Sequence, residues 1–242
     1  MKSIKLVLCI FIASFFVNHT SAADISIVTG EIVPYSYKFE GHQIGVGSDI
    51  VAEISKRIGF EKKPASLPWP RALKYSLEDD TIIYPLARTK SRENQYLWIG
   101  PIVNDYLAFY VRADDKKTYN SIEDFKNLKI GASRGAPPSK RLAAMGFKDL
   151  DLVTAERNNA LKLKKGRIDA WYATQLICEF NFRNEGFKQS DFRLAYRDVK
   201  LIFYLGASKN LGSEVQKWQS VLDDMKKDGT HKKILIKNHV TQ

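Results

Sequence analysis

The side chains in this sequence that are suited to chemistry are mostly basic. Thirty-eight Lys and Arg stand against 27 Asp and Glu, a net charge of +11, and such a surplus suits polyanions, acidic membranes or small acidic ligands. Among the basic groups a guanidinium is special. Its planar fork makes two parallel charge-assisted hydrogen bonds to a carboxylate, where a lysine offers a point charge. The run Gly131-Ala-Ser-Arg-Gly-Ala-Pro137 is a second anion-friendly element. It reads as strand, turn and helix start, where free N–H groups and the helix dipole favour negative charge. Pro137 brings neither a hydroxyl nor an N–H to that turn. Catalytic and metal chemistries find less support. His19, His42, His231 and His239 are too far apart for a metal pair or a local triad. Cys9 and Cys178 make neither a zinc spacing nor a disulfide framework. No metal and no cofactor is therefore expected. Nucleic acid is not an expected partner either, because the basic residues are scattered and the main aromatic-basic element is the short Trp69-Pro70-Arg71.

These groups must be positioned by a chain of 242 residues, 44% of them hydrophobic, enough for one large domain or two small lobes. Residues 1–22 begin with Lys2 and Lys5, continue through an apolar run to Val17 and end at Thr20-Ser21-Ala22. That is the layout of a cleavable signal peptide, and the run is too short for a membrane span of roughly 20 residues. Cleavage removes Lys2, Lys5 and Cys9 and takes the net charge from +11 to +9, leaving Cys178 as a buried small hydrophobe. The expected product is a soluble protein outside the cytoplasm.

From Asp24 onward short β-rich runs alternate with amphipathic helical patterns, which argues for α/β layers with a largely parallel sheet. Strands are predicted at 25–29, 81–86, 106–112, 128–132, 167–171 and 201–205. Helices are predicted at 48–59, capped by Ser48 and stopped by Gly59, and at 69–77 with Pro70 in the first turn. Further helices are predicted up to Gly146, at 156–165, 174–182 and 213–227. The absence of a linker rich in Gly, Ser or Pro favours two lobes sharing a compact hinge.

The order of landmarks resembles the bacterial extracellular solute-binding proteins of family 3. The first lobe carries Pro34-Tyr35, Pro68-Trp69-Pro70-Arg71-Ala72-Leu73, Ala87-Arg-Thr-Lys-Ser-Arg-Glu93 and Gly100-Pro101-Ile102. Ser121-Ile-Glu-Asp, Ile130-Gly-Ala-Ser-Arg-Gly135 and Gly166-Arg-Ile-Asp-Ala170 continue the likeness over nearly the whole chain. The resemblance implies the type II periplasmic binding protein fold, an α/β architecture whose two lobes are joined by two crossover strands and close on a ligand. The implied lobes are 23–104 with a return segment 198–242, and 105–197.

It also implies a site. Arg92 matches the family position, five residues after a small residue, whose guanidinium grips the ligand carboxylate. That small residue is Ala87, so any contact there must come from its backbone N–H. Trp69 and Tyr35, with Trp171, are expected as apolar walls, and Arg71 and Arg88 at the cleft mouth. From the other lobe Arg134, Gly135 and Ala136 are expected to face the anion. Relatives place an Asp where this chain has Thr174, and a ligand ammonium buried without a carboxylate is costly. Either Glu31 takes that part, or the ligand lacks a free α-amino group. Asp169 is expected to be structural.

The function so implied is capture of a small carboxylate-bearing solute, an amino acid or related organic acid, by a periplasmic monomer serving an inner-membrane permease or a sensor. The alternative is a dehydratase-like enzyme on the same fold using Glu31 as acid or base. Against it, no nucleophile-base pair is legible and no histidine lies between Pro68 and Thr174.

Overall fold

A computed structural model describes residues 24–240; the signal peptide expected at 1–22, with Cys9, lies outside them. The chain runs β1 (Ser26–Gly30), a hairpin of β2 (Tyr37–Phe39) and β3 (His42–Ile44), α1 (Val46–Ile58), β4 (Ala65–Leu67), α2 (Trp69–Tyr75), β5 (Thr81–Ala87) and β6 (Leu97–Arg112). It continues through β7 (Ile130–Ser133), α3 (Pro137–Ala144), β8 (Leu150–Val153), α4 (Arg157–Lys164), β9 (Ala170–Thr174), α5 (Gln175–Asn184), β10 (Phe192–Ala207), α6 (Gly212–Lys227) and α7 (Thr230–Lys237).

Eight strands form one sheet in the order β4-β1-β5-β10-β6-β9-β7-β8. At one end β1 pairs in parallel with β4 and β5, and at the other β7 pairs in parallel with β8 and β9. Parallel strands need both faces covered, and adjacent residues divide between the faces accordingly. Ile27 and Ile82 join the core under α1, α6 and α7, while Val28 and Ile83 join the core under α2. In the other lobe Phe109 and Tyr172 pack towards α3, and Tyr110 and Trp171 towards α4 and α5.

The two lobes are joined by β6 and β10, each 16 residues long and paired antiparallel with each other from Phe192↔Arg112 to Ala207↔Leu97. Each strand changes its outer neighbour along its length. Residues 107–111 of β6 pair with β9 in the second lobe, whereas Phe203–Ala207 of β10 pairs with β5 in the first. Register shifts interrupt the pairing, one of them between Arg197 and Val199. A bulge leaves an extra residue free to be re-aimed, and here it is Asp198. Its carboxylate accepts Arg141 Nε and Nη2 at 2.8 and 3.0 Å and the Tyr172 hydroxyl at 2.5 Å, fixing β10 to α3 and β9.

The structure departs locally from the sequence expectations. The strands expected at 106–112 and 201–205 are halves of the crossover pair, because Gly100-Pro101 and the polar stretch Arg193 to Lys200 hide the rest of the pattern. The strand expected at 167–171 is shifted to Ala170–Thr174, since Asp169 is held in a bend where its backbone and side chain both bond Lys129. Helix α1 ends as expected at Gly59, in the left-handed conformation at φ 71°, but Ser48 is not its cap. The helix begins at Val46, and the N–H groups of Val46 and Gly47 bond the carbonyls of Pro34 and Tyr35 at 3.3 and 2.8 Å. Cys178 is buried, and burial pushes its thiol pKa well up. No helix among the described residues is long and apolar enough to cross a membrane.

The C-terminal helix α7 is tied to a crossover strand by His231, which is buried with Nε2 2.8 Å from the Ile102 carbonyl. Burial lowers the His231 pKa below its ordinary 6.5. A base with a depressed folded pKa leaves stability intact above its unfolded pKa, and stability is lost as pH falls through the interval down to the folded pKa. Urea unfolding should therefore show the wild-type chain losing stability as pH falls below the ordinary histidine value of 6.5 more steeply than His231→Gln.

Candidate ligand site at the lobe junction

The ends of β1 and β5 carry the first set of expected site residues. Gly30 closes β1, and a side chain there would meet Trp69 Cε3 at 2.8 Å. The absence of a Cβ is what lets the half-buried Trp69 indole, at the first position of α2, lie against the backbone next to Glu31. Glu31 itself is exposed. Arg71, two residues beyond Trp69, is also exposed and makes no ion pair among the described residues.

Arg92 sits in the turn that leaves β5, its N–H bonding Thr89 and its carbonyl accepting from Gln95 at 3.0 and 2.9 Å. Its Nη1 donates to the Ala87 carbonyl at 3.1 Å. The guanidinium is half-buried, has no carboxylate partner among the described residues, and burial lowers its pKa. A guanidinium stays charged even so. Desolvated positive charge with open donors is the state that gains most from an incoming carboxylate.

The neighbouring Arg88 has a different role. Its Nε and Nη2 donate to Glu93 at 2.9 and 2.5 Å, and its guanidinium lies 5.3 and 5.2 Å from the ring centroids of Trp98 and Tyr204. The ion pair lowers the Glu93 pKa. Arg88 is thus committed within its own lobe, because a carboxylate five residues along the same turn reaches it first.

In the second lobe Gly135 takes φ 70° between β7 and α3, a conformation that suits glycine. Ala136 precedes a helix whose first positions are proline, so this end supplies fewer free N–H groups than an ordinary helix start. Arg134 is exposed, and its Nη2 donates to the Leu152 carbonyl of β8 at 2.9 Å. Trp171 is fully buried, with Nε1 donating to Glu156 at 3.1 Å and its ring edge-on to Phe182 at 5.5 Å. It is a core residue of the second lobe, not a wall.

Tyr35 and Thr174, expected from opposite lobes, are brought together directly. Tyr35 is 1% exposed, packs on Phe203 with ring centroids 4.8 Å apart, and has its hydroxyl 2.8 Å from Thr174 Oγ1. Thr174 also caps α5 by accepting from Ile177 N. The residue that organises this junction was not singled out in the sequence. Asp105 lies on β6, is 6% exposed, and accepts the Tyr35 hydroxyl together with the N–H groups of Tyr106 at 2.6 Å and Leu176 at 3.3 Å. Burial raises its pKa, and it has no cation partner among the described residues. An acidic residue at the head of the apolar, aromatic run Tyr106 to Val111 was the available signal.

Two crossover strands, paired α/β lobes and an unmatched guanidinium at the end of β5 are now in place. The profile of the bacterial extracellular solute-binding proteins, family 3, matches residues 25–240. The chain belongs to that family. Its fold is the two-lobed periplasmic binding protein fold, and its role is binding a solute rather than catalysis, so the alternative of an enzyme using Glu31 is set aside. A probable amino-acid-binding protein of Bacillus subtilis (strain 168), YxeM, is 26% identical over 235 residues, covering 90% of this chain and 85% of that one. A histidine kinase sensor domain with similarity to periplasmic binding proteins matches with TM-score 0.72 at 17% identity, covering 88% of this solute-binding protein and 95% of that chain. The GluR0 ligand-binding core from Nostoc punctiforme, in complex with L-glutamate, matches with TM-score 0.72 at 18% identity, covering 90% and 100%. Among the described residues no group of three or more His, Cys, Asp or Glu is placed to hold a metal ion.

The contact between Gly30 and Trp69 is directly testable. Gly30→Ala should destabilise the fold by about 1–3 kcal/mol through overpacking. In a Trp69→Ala background the same change should cost less than about 0.5 kcal/mol, and a double-mutant cycle from urea unfolding would measure the difference.

Proposed function

We propose that this family member captures a small solute through its carboxylate, with Arg92 as the principal grip, between lobes formed by 23–104 with 198–242 and by 105–197. The single observation that supports it is the half-buried Arg92 guanidinium, which has donors to spare and no acidic neighbour among the described residues. Trp69 beside Glu31 supplies an apolar wall, and the turn Arg134-Gly135-Ala136 faces the anion from the second lobe. An amino acid or related organic acid is the ligand class, in keeping with the amino-acid-binding relative and the glutamate-bound core. Of the four arginines, Arg71, Arg92 and Arg134 have no carboxylate partner among the described residues, which favours a ligand with more than one acidic group. The protein works in the periplasm after signal-peptide cleavage, as a monomer, and passes its solute to an inner-membrane permease or reports it to a sensor. Closure is a population shift driven by contacts that the ligand makes with both lobes at once.

Mass spectrometry of solute released by denaturing the purified protein identifies the ligand, and isothermal titration then ranks the residues. Arg92→Ala should weaken binding by about 2–4 kcal/mol and Arg92→Lys by at least about tenfold. Arg88→Gln, which removes an exposed ion pair with Glu93 and the packing of the guanidinium on Trp98 and Tyr204 but no carboxylate grip, should leave affinity within about fivefold. A clear preference for cationic amino acids over mono- and dicarboxylates would sink the acidic-ligand assignment.

A further inference from the structure

We infer that Asp105 is a positioning residue for lobe closure, holding the Tyr35 hydroxyl against Thr174 so that the lobes are latched by contacts involving no ligand atom. The inference rests on the closure reading above, but not on which solute is bound.

The three groups come from three parts of the fold. Tyr35 belongs to the lobe built on β1, and its carbonyl is pinned by Gly47 N of α1 at 2.8 Å. Thr174 ends β9 in the other lobe and caps α5. Asp105 lies on β6 just before that strand joins β9, whose first register pair is Leu107↔Thr174. A tyrosine hydroxyl has one proton. It goes to the Asp105 carboxylate, the stronger acceptor, so the Tyr35 oxygen is left to accept the Thr174 hydroxyl at 2.8 Å. The second Asp105 contact across the junction is the Leu176 N–H at the start of α5.

Such bonds survive only at one lobe angle, since a hydrogen bond is lost beyond about 3.5 Å. Apolar contacts across the same junction act in the same sense. Leu176 of α5 packs into the core of the first lobe, and Tyr37 meets Phe180 of α5 edge-on at 5.9 Å. A latch that already populates the binding-competent geometry raises apparent affinity in proportion to that population. Its loss should weaken solute binding by about tenfold.

The test is an interlobe distance measured by pulsed electron resonance. Spin labels go on Lys56→Cys and Lys148→Cys, two exposed positions, one in each lobe, while buried Cys178 is protected from labelling. The mature chain is stripped of solute by unfolding and refolding. Wild type should show a populated short distance even without solute, which added solute increases. Tyr35→Phe and Asp105→Ala should each add a longer-distance population while remaining folded by circular dichroism, and Asp105→Asn, which keeps an acceptor for Tyr35, should stay near wild type. An unchanged distribution in folded Tyr35→Phe and Asp105→Ala overturns the latch. Should Tyr35→Phe not fold, Thr174→Ala against Thr174→Ser decides the same question, because only serine keeps the hydroxyl. Adding the co-purified solute to the same samples reports separately on ligand-driven closure.

Discussion

The antiparallel pairing of β6 with β10 is the constraint on which the rest of the molecule depends. Both strands run through both lobes, and each half is hydrogen-bonded on its outer side to a different set of strands. Neither lobe can complete its half of the sheet without these strands, yet only this two-stranded ribbon joins the two halves. A two-stranded connection bends and twists more easily than a wide sheet. The bulges along it localise that freedom and, at Asp198, turn an unpaired residue into an anchor for Arg141 and Tyr172.

Polar groups buried beside the ribbon carry the interlobe chemistry. A carboxylate as enclosed as Asp105 is costly to ionise unless donors converge on it. Here the donors are a hydroxyl from one lobe and an N–H from the other, so satisfying the charge and setting the lobe angle are the same act. The family resemblance points to a carboxylate at the position of Thr174. In this chain an acidic group appears instead on the adjacent strand, where it is bonded by Tyr35, which also meets Thr174.

The four arginines show how the same side chain acquires different work from its surroundings. Arg88 is neutralised by Glu93 and sandwiched between rings, which makes it a brace for the turn after β5. Arg134 reaches back to the β8 edge. Arg92, four residues beyond Arg88 in the same turn, is tied only to a carbonyl and is partly withdrawn from water. Composition treats these residues as equal contributors to a basic surplus, whereas desolvation and the lack of a partner single out one of them.

The α/β class, most helix positions and the family are legible in the amino-acid sequence, because these depend on local periodicity and on motifs such as the Ala87 to Glu93 turn. So are the structural part of Asp169 and the stop of α1 at Gly59, both consequences of nearby residues. Short strands such as β2, β3 and β4 leave no trace in the sequence, being three residues each and too brief for a period to register. That Trp171 is core, that Arg88 is spent on Glu93, and that Tyr35, Asp105 and Thr174 meet are outcomes of folding in three dimensions. Those outcomes depend on groups up to 139 residues apart in the chain. Whether a polar side chain faces solvent, a partner or a ligand is settled by what packing brings within about 3 Å of it, and no local pattern encodes that distance.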